Sequence, residues 1–410
     1  MNQELQNPRE IRGLEIAQKG GIKQIDMNKY LVPSQYGNGA YKVDLGELEP
    51  TCSCPDFETR HHDIKQCKHI IAVSYFLKFE KDRLGNTTVT QVKKVTYSQD
   101  WKAYNQAQTQ EITLFDELLK DLVIAVPEPE MKTGRPRKSL RDDLFCSIQK
   151  VYSQLSQRRA HTLYRNAGER EQIDNIPHFN RIGRALNRED VTPILHDLLK
   201  LSALPLRSVE TQFAVDSSGF RTTQFGEYCR EKHKTKQQHR WVKAHIIVGV
   251  KTNVITSAGI TEEYGADCPQ FEPLVKATHE NGFSLKEVSA DKGYVSRDNL
   301  ALVDELGGVP YIPFKENSRG TRTRGSSPIW KKMYYLFQYR NEEFMAHYHK
   351  RSNVETVFQM VKAKFGDKLK SKNKVAQENE LLCKLIAHNI CVLIQEMHEL
   401  GIQPDFYPLT

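Results

Sequence analysis

No stretch of the 410-residue chain comes near the ~18 consecutive apolar residues that a membrane-spanning helix needs, which excludes an ordinary helical membrane protein. The first residues, Met1 to Arg12, are polar and charged with no apolar run behind them, so a cytosolic location is expected. Cysteine is scarce, eight in the whole chain, which argues against a disulfide framework and leaves metal as the better use for any tight group of thiols. Neither sign of charge dominates: 59 basic against 51 acidic residues leave +8 at pH 7, enough to make a polyanionic partner plausible but not to identify one. There is no internal repeat. The 39% apolar content is sufficient for more than one core, and a multidomain protein is expected.

Tyr30 to Leu45 reads as a hairpin about Gly37-Asn38-Gly39, with Tyr41, Val43 and Leu45 alternating with polar residues. Ile70, Ile71, Val73, Phe76 and Leu77 then have helical spacing. Between these two lies Cys52-Ser53-Cys54, twelve residues, and Cys67-Lys68-His69. Three thiolates and an imidazole suit a closed tetrahedral zinc site with no open position for catalysis, with His61 or His62 as the alternative to His69. The order and spacing resemble the SWIM zinc finger. Arg60, Lys65 and Lys68 favour DNA as its partner, with a protein as the alternative.

Residues 81 to 110 are polar without a clear period, and Pro127 to Lys138 form a basic, proline-broken connector holding Gly134-Arg135-Pro136, the core of an AT-hook able to place Arg135 in a narrow minor groove. A helical region follows: Ser139 with Asp142 starts a helix that continues through Leu144, Ile148, Val151, Tyr152 and Leu155. Phe179, Ile182 and Leu186, then Ile194, Leu195, Leu198 and Leu199, mark two more. Arg181, Arg184 and Arg188 share a helical face that could meet DNA. From about residue 210 short β-branched runs alternate with turns and then with helices, which indicates a mixed α/β sheet.

Asp216 follows Phe213-Ala214-Val215, and Asp291 follows Val288-Ser289-Ala290. Both are read as strand-end carboxylates able to converge. Phosphoryl transfer on DNA needs such convergence, because hard divalent cations prefer carboxylate oxygen and a pair of them ~4 Å apart can stabilise attacking and leaving oxygens together. At ~100° per residue, Tyr348, Arg351, Glu355 and Lys362 fall within one arc of a single helix, beside an apolar stripe of Val354, Phe358, Val361 and Phe365.

The spacing Tyr348, two residues, Arg351, three residues, Glu355, six residues, Lys362 is similar to the Tyr, Arg, Glu, Lys signature of one large group of insertion-sequence DDE transposases. Val-Asp-Ser-Ser-Gly at Asp216 and Ala-Asp-Lys-Gly-Tyr at Asp291 resemble that family's other two motifs. The resemblance covers roughly residues 205 to 395. It implies an RNase H-like domain in which Asp216, Asp291 and Glu355 hold two Mg²⁺ (or Mn²⁺) ions, while Tyr348, Arg351 and Lys362 contact DNA near the transposon end. It also implies cutting at terminal inverted repeats, transfer of the 3′ end into double-stranded target DNA, and a homodimer on DNA in a bacterial or archaeal cytoplasm, at the nucleoid. Only 63 residues lie between Asp291 and Glu355, so an insertion subdomain there has to be small. Lys364, Lys368, Lys370, Lys372 and Lys374 add a basic run expected to neutralise phosphate.

The expected organisation is therefore multidomain α+β. Residues 1–90 form a small β/α finger with one structural zinc on Cys52, Cys54, Cys67 and His69, and 91–138 form a linker with the basic Gly-Arg-Pro segment. Residues 139–204 form a helical DNA-binding module, and 205–400 form an RNase H-like mixed α/β catalytic domain. A nuclease that only hydrolyses DNA and a DNA-binding regulator with an idle catalytic domain are the alternatives; three mutually repelling carboxylates kept together argue against the second.

Overall fold

The computed structural model describes residues 8–26, 28–35, 39–46, 50–60, 66–84, 100–128, 138–222, 241–320 and 327–407. The chain divides into two units, one of residues 1–97 with 313–348, the other of 98–312 with 349–410. Gly134-Arg135-Pro136, His61, His62 and Lys65 lie outside the described residues.

The first unit starts with α1 (Pro8–Lys19) and four antiparallel strands in sequential order, β1 (Lys23–Asp26), β2 (Lys29–Pro33), β3 (Ala40–Asp44) and β4 (Thr51–Cys52), followed by α2 (Pro55–Arg60) and α3 (Lys68–Leu84). The expected hairpin is β2 with β3, registered so that Tyr30 faces Val43 and Val32 faces Tyr41. Helix α1 was not anticipated. It lies against α3 so closely that a Cβ on Gly13 would come within 2.6 Å of Ile71 Cγ2, which is why glycine stands there.

In the larger unit, α4 (Trp101–Val123) occupies nearly half of the 91–138 stretch expected as a linker. Asp100 caps it, accepting from the backbone N–H of Lys102 and Ala103 at 3.0 Å, and it buries Ala103, Ala107, Phe115, Leu118, Leu119 and Leu122. Two small alanines in its first turns leave little apolar signal, so the helical period is invisible until Phe115. The helical region comprises α5 (Leu140–Ser153), α6 (His161–Glu169), α7 (Phe179–Ala185) and α8 (Val191–Ala203). Ser139 caps α5 as expected, its hydroxyl accepting from Asp142 N at 3.2 Å.

The sheet follows: β5 (Gln212–Arg221), β6 (Trp241–Gly249), β7 (Ile255–Glu262), α9 (Cys268–Glu280), β8 (Glu287–Ala290), α10 (Arg297–Glu305) and β9 (Val309–Tyr311). Its order is β7-β6-β5-β8-β9, antiparallel among the first three and parallel from β5 to β9, an RNase H-like mixed sheet.

Residues 313–348 belong to the first unit again, with α11 (Pro328–Tyr339) and α12 (Asn341–Tyr348). Tyr335 and Tyr339 of α11 are buried in one core with Tyr30, Val32, Val43, Cys52, Cys54, Cys67 and Ile70. Of the segment between the second and third acidic motifs, residues 313–348 thus belong to the first unit, while α10 and β9 stay with the sheet. The larger unit is completed by α13 (Ser352–Phe365) and α14 (Lys374–Glu399). Helix α14 is buried nearly all round and packs on α4, α5, α8 and β7. Its Asn389 completes the β7 edge, bonded to both the N–H (2.8 Å) and the carbonyl (2.7 Å) of Ile255. Among the described residues no helix is long and apolar enough to cross a membrane.

Tyr339 is fully packed, and its hydroxyl accepts from Gln66 Nε2 at 3.2 Å. Tyr339→Ala therefore costs the first unit roughly 3 kcal/mol, the usual loss for a buried aromatic. The check is a urea titration read by zinc release to a chromophoric chelator. A midpoint unchanged from wild type would show that α11 is not part of the finger's core.

Candidate functional site

Parallel pairing of β5 with β8 sets Val215 opposite Ala290, so the residues that follow them, Asp216 and Asp291, emerge side by side. The strand-end expectation holds for Asp291. It fails for Asp216, because β5 runs on for five residues through Ser217-Ser218-Gly219, with Asp216 paired to Ile246 of β6. Small residues beyond the aspartate read as a turn in sequence, yet pairing with β6 keeps them extended.

Glu355 lies in the first turn of α13, whose Val354, Val357, Phe358, Val361 and Phe365 are buried. The expected single helix through Tyr348 is not observed. Tyr348 ends α12 in the first unit, His349 to Arg351 form a 3₁₀ turn, and α13 starts at Ser352. Ser352 does not cap the helix; its hydroxyl donates to His349 O.

The break gives Arg351 its reach. Its Nη1 donates to Asp216 Oδ2 at 2.6 Å and its Nη2 to Glu355 Oε1 at 2.5 Å, so one guanidinium joins two of the three acids. Burial raises the pKa of Asp216. The amide of Ser217 and the charge of Arg351 pull it back, while Asp291 and Glu355 push it further up. Both other carboxylates therefore act on Asp216 through space. Asp291 also accepts from Lys292 N at 2.7 Å. Lys362, one face of α13 further on, donates to Ser218 Oγ at 2.6 Å and sits over the Phe220 ring.

Beside these residues lies a network without any distinguishing motif. Asp267, just ahead of α9, accepts from Ser217 Oγ at 2.8 Å and from Lys243 Nζ at 2.6 Å, and His245 Nδ1 is 3.3 Å away. Burial opposes ionisation of Asp267, but the bonds from Lys243 and Ser217 hold it below the ordinary carboxylate range. His245 is fully buried, its pKa lowered by that burial, and it is bonded to Thr261 Oγ1 at 2.8 Å. Since Ser217 adjoins Asp216, this network braces β5 at the site.

In the first unit, Cys52, Cys54, Cys67 and His69 are all buried, with one ligand atom from each lying within 4.8 Å of the others. His69 Nδ1 is 3.9 Å from the sulfurs of both Cys52 and Cys67. Bond lengths of about 2.3 Å to sulfur and about 2.1 Å to nitrogen fit zinc inside that spread. Hydrogen bonding with Cys54 raises the Cys52 thiol, and the same contact lowers Cys54. Cys146 and Cys383 are buried far from any such group, and no function attaches to them.

Residues 207–390 match the family model of the transposase DDE domain, and residues 41–78 that of the SWIM zinc finger. The chain carries a transposase DDE domain behind a SWIM zinc finger. The catalytic class that goes with the domain is DNA transposase, a nuclease and strand transferase dependent on divalent metal. Among solved structures, the cryo-EM piggyBac transposase synaptic complex with hairpin DNA is similar over 72% of this chain and 74% of that one, at 12% identity and a TM-score of 0.33. So loose a likeness carries no weight for the site.

Asp216 titrates higher when folded, so the stability tied to its protonation is complete at low pH and lost as pH rises through the folded value. In metal-free protein at neutral pH, Asp216→Asn should therefore melt higher than wild type, the gap closing toward the ordinary carboxylate range. Adding Mg²⁺ or Mn²⁺ should stabilise only the wild type, by about 2.7 kcal/mol at a hundredfold excess over Kd. Calorimetry with and without the ion decides; equal responses from both proteins would remove the carboxylates as ligands.

Proposed function

We propose that this protein cuts double-stranded DNA at the ends of an insertion sequence and joins the freed 3′ ends to target DNA, with Asp216, Asp291 and Glu355 holding two Mg²⁺ or Mn²⁺ ions. The observation that carries the reading is the gathering of three carboxylates from β5, β8 and α13, two of them on one arginine. Repelling acids brought together have no structural use that an apolar contact would not serve better. Bound among these carboxylates, divalent cations supply Lewis-acid stabilisation of the attacking and leaving oxygens.

Asp216 stands on the central strand of the sheet and, together with Asp291 and Glu355, would hold the ions. Arg351 has a double role in this reading. It compensates Asp216 and Glu355 while they lack a cation, and its fork matches a phosphate oxygen pair once they have one. Lys362 and Tyr348 are assigned to DNA beside the transposon end, and Arg135 to a minor groove. The segment 139–204 is assigned to recognition of the ends. Two ends have to be brought together for integration, so the working form is a DNA-bound homodimer in a prokaryotic cytoplasm.

Excision in cells tests the reading, with the element's own ends on a donor plasmid and wild type compared with Asp216→Asn. Wild type should excise, and the variant should bind the ends equally well without excising. Excision by the variant would remove the central assignment. Transfer of a pre-cut 3′ end in vitro separates transposition from plain hydrolysis, since a nuclease alone would leave that end unjoined.

A further inference from the structure

Four of the cations that stand out in the sequence are already paired with acids of the chain. Arg181 pairs with the buried Asp143 at 2.5 Å and also donates to Lys138 O, and Arg188 pairs with Asp190 at 2.5 Å. Lys364 is bonded to Glu111, and Lys374 to Glu262. The expected arginine stripe and lysine run are therefore partly neutralised by acids of the chain itself. What the fold builds instead is a cavity of about 420 Å³, open to solvent, between the helical region and the loop joining α13 to α14.

Four cations line it: Lys150 of α5, Arg184 of α7, and Lys370 and Lys372 of the loop. Among the described residues no acid does. Glu380, behind the loop, is buried and accepts the backbone N–H groups of Lys370 (2.9 Å) and Ser371 (2.8 Å), which fixes the loop; Lys370 Nζ donates to Gln154 O across the cleft, and Lys372 is exposed. The two sides are locked in register. Asn373 Nδ2 donates to Asn187 Oδ1 at 3.0 Å, Gln154 Nε2 to Lys364 O at 2.5 Å, and the buried Asn379 to Leu186 O at 2.9 Å. Burial and the nearby charge of Lys150 lower the pKa of Lys370, Glu380 offsets part of this, and Lys368 adds to the lowering, so the cations still crowd one another and an anion would relieve them.

The loop is also tied to the catalytic strand. Arg221, at the end of β5, donates its backbone N–H to Asp367 O at 2.9 Å and accepts from Leu369 N at 2.8 Å. The same loop directly follows α13, which carries Glu355. We propose that this cleft is a binding site for the sugar-phosphate backbone of duplex DNA, laid between the helical region and the DDE domain so that the position of the duplex is set relative to β5 and α13. An open trough with cations on both walls and amide side chains between them suits a polymer of phosphodiesters better than a small free anion, which calls for an enclosed cage. The site meets phosphate and sugar, not base edges, so it orients DNA without reading sequence. The identity of the polymer rests on the transposase reading; the site itself does not.

The test is fluorescence anisotropy with a labelled duplex of random sequence over a range of salt, comparing wild type with the triple variant Lys150→Gln, Arg184→Gln, Lys372→Gln. The slope of log K against log salt should flatten by about 2.7, or about 0.9 for each phosphate no longer neutralised. A triple of equal charge change on exposed lysines of α4 and α9 (Lys102→Gln, Lys120→Gln, Lys276→Gln) should keep the wild-type slope. An unchanged slope in the cleft variant, or an equal change in the control, overturns the proposal. Lys372→Glu alone, at an exposed position, should weaken binding more than Lys372→Gln, which keeps the test open if the triple variant folds poorly; equal affinities would count against the site. Asp216→Asn, assayed alongside, separates the two readings. Loss of cutting in that variant with an unchanged slope in the cleft variant sinks the cleft alone, whereas cutting retained with a flattened slope sinks the catalytic assignment alone.

Discussion

Asp216 carries its charge beside two further acids, Asp291 and Glu355, that repel it, and the chain has to fold with all three in place. That constraint runs through the architecture of the larger unit. Asp216 is half-buried on a central strand, where removal of each water raises the cost of its charge, and two further acids add to it. Arg351 offsets part of this by bridging Asp216 and Glu355. It can do so because the chain breaks from helix into a 3₁₀ turn just before α13, which turns the guanidinium back toward the sheet instead of along the helix.

Rigidity elsewhere keeps the acids from relaxing apart. Parallel pairing of β5 with β8 leaves Asp216 and Asp291 no freedom to separate, since any slip by one residue would turn whole strands inside out. The network of Asp267, Lys243, Ser217 and His245 braces β5 from the β6 side. Helix α13 is held by its apolar face and, at its C-terminal end, by the buried Lys384, which donates to Gly366 O at 2.7 Å and Lys368 O at 2.8 Å. Burial lowers the pKa of that lysine to about 8, and the two carbonyl bonds fit its place beneath a helix end, where a positive charge also meets the helix dipole.

The candidate acids and zinc ligands could be picked out in sequence because each sits in a short motif: an apolar β run leading to Asp216 and to Asp291, helical spacing around Glu355, a Cys-x-Cys and a Cys-x-His. What could not be read depends on contacts between distant residues. Ser217-Ser218-Gly219 resembles a turn until β6 pairs with it. Ala103 and Ala107 carry too little apolar area to mark α4 before α14 is there to bury them. Arg181, Arg184 and Arg188 share a stripe by spacing, but Asp143 and Asp190 claim two of them, and only the folded chain brings Arg184 together with Lys150 and Lys370. Asp267 has no motif at all; it acquires a role only through side chains from two strands.

The finger's core explains what the short span between Asp291 and Glu355 is for. Sixty-three residues are too few for a large independent insertion, and the structure puts α11 and α12 of that span into the first unit. On α11, Tyr335 and Tyr339 join the core that holds Cys52, Cys54 and Cys67, while Phe337 meets Phe344 of α12, which in turn stacks on Tyr348. A chain of packed rings thus runs from the zinc ligands' core to the tyrosine of the Tyr-Arg-Glu-Lys motif, and three residues of backbone then lead to Arg351. Packed cores transmit displacement because they have little free volume to absorb it. Order at the zinc ligands therefore bears on order at Tyr348 within the first unit, which draws its core from both the N-terminal finger and the span that precedes Arg351.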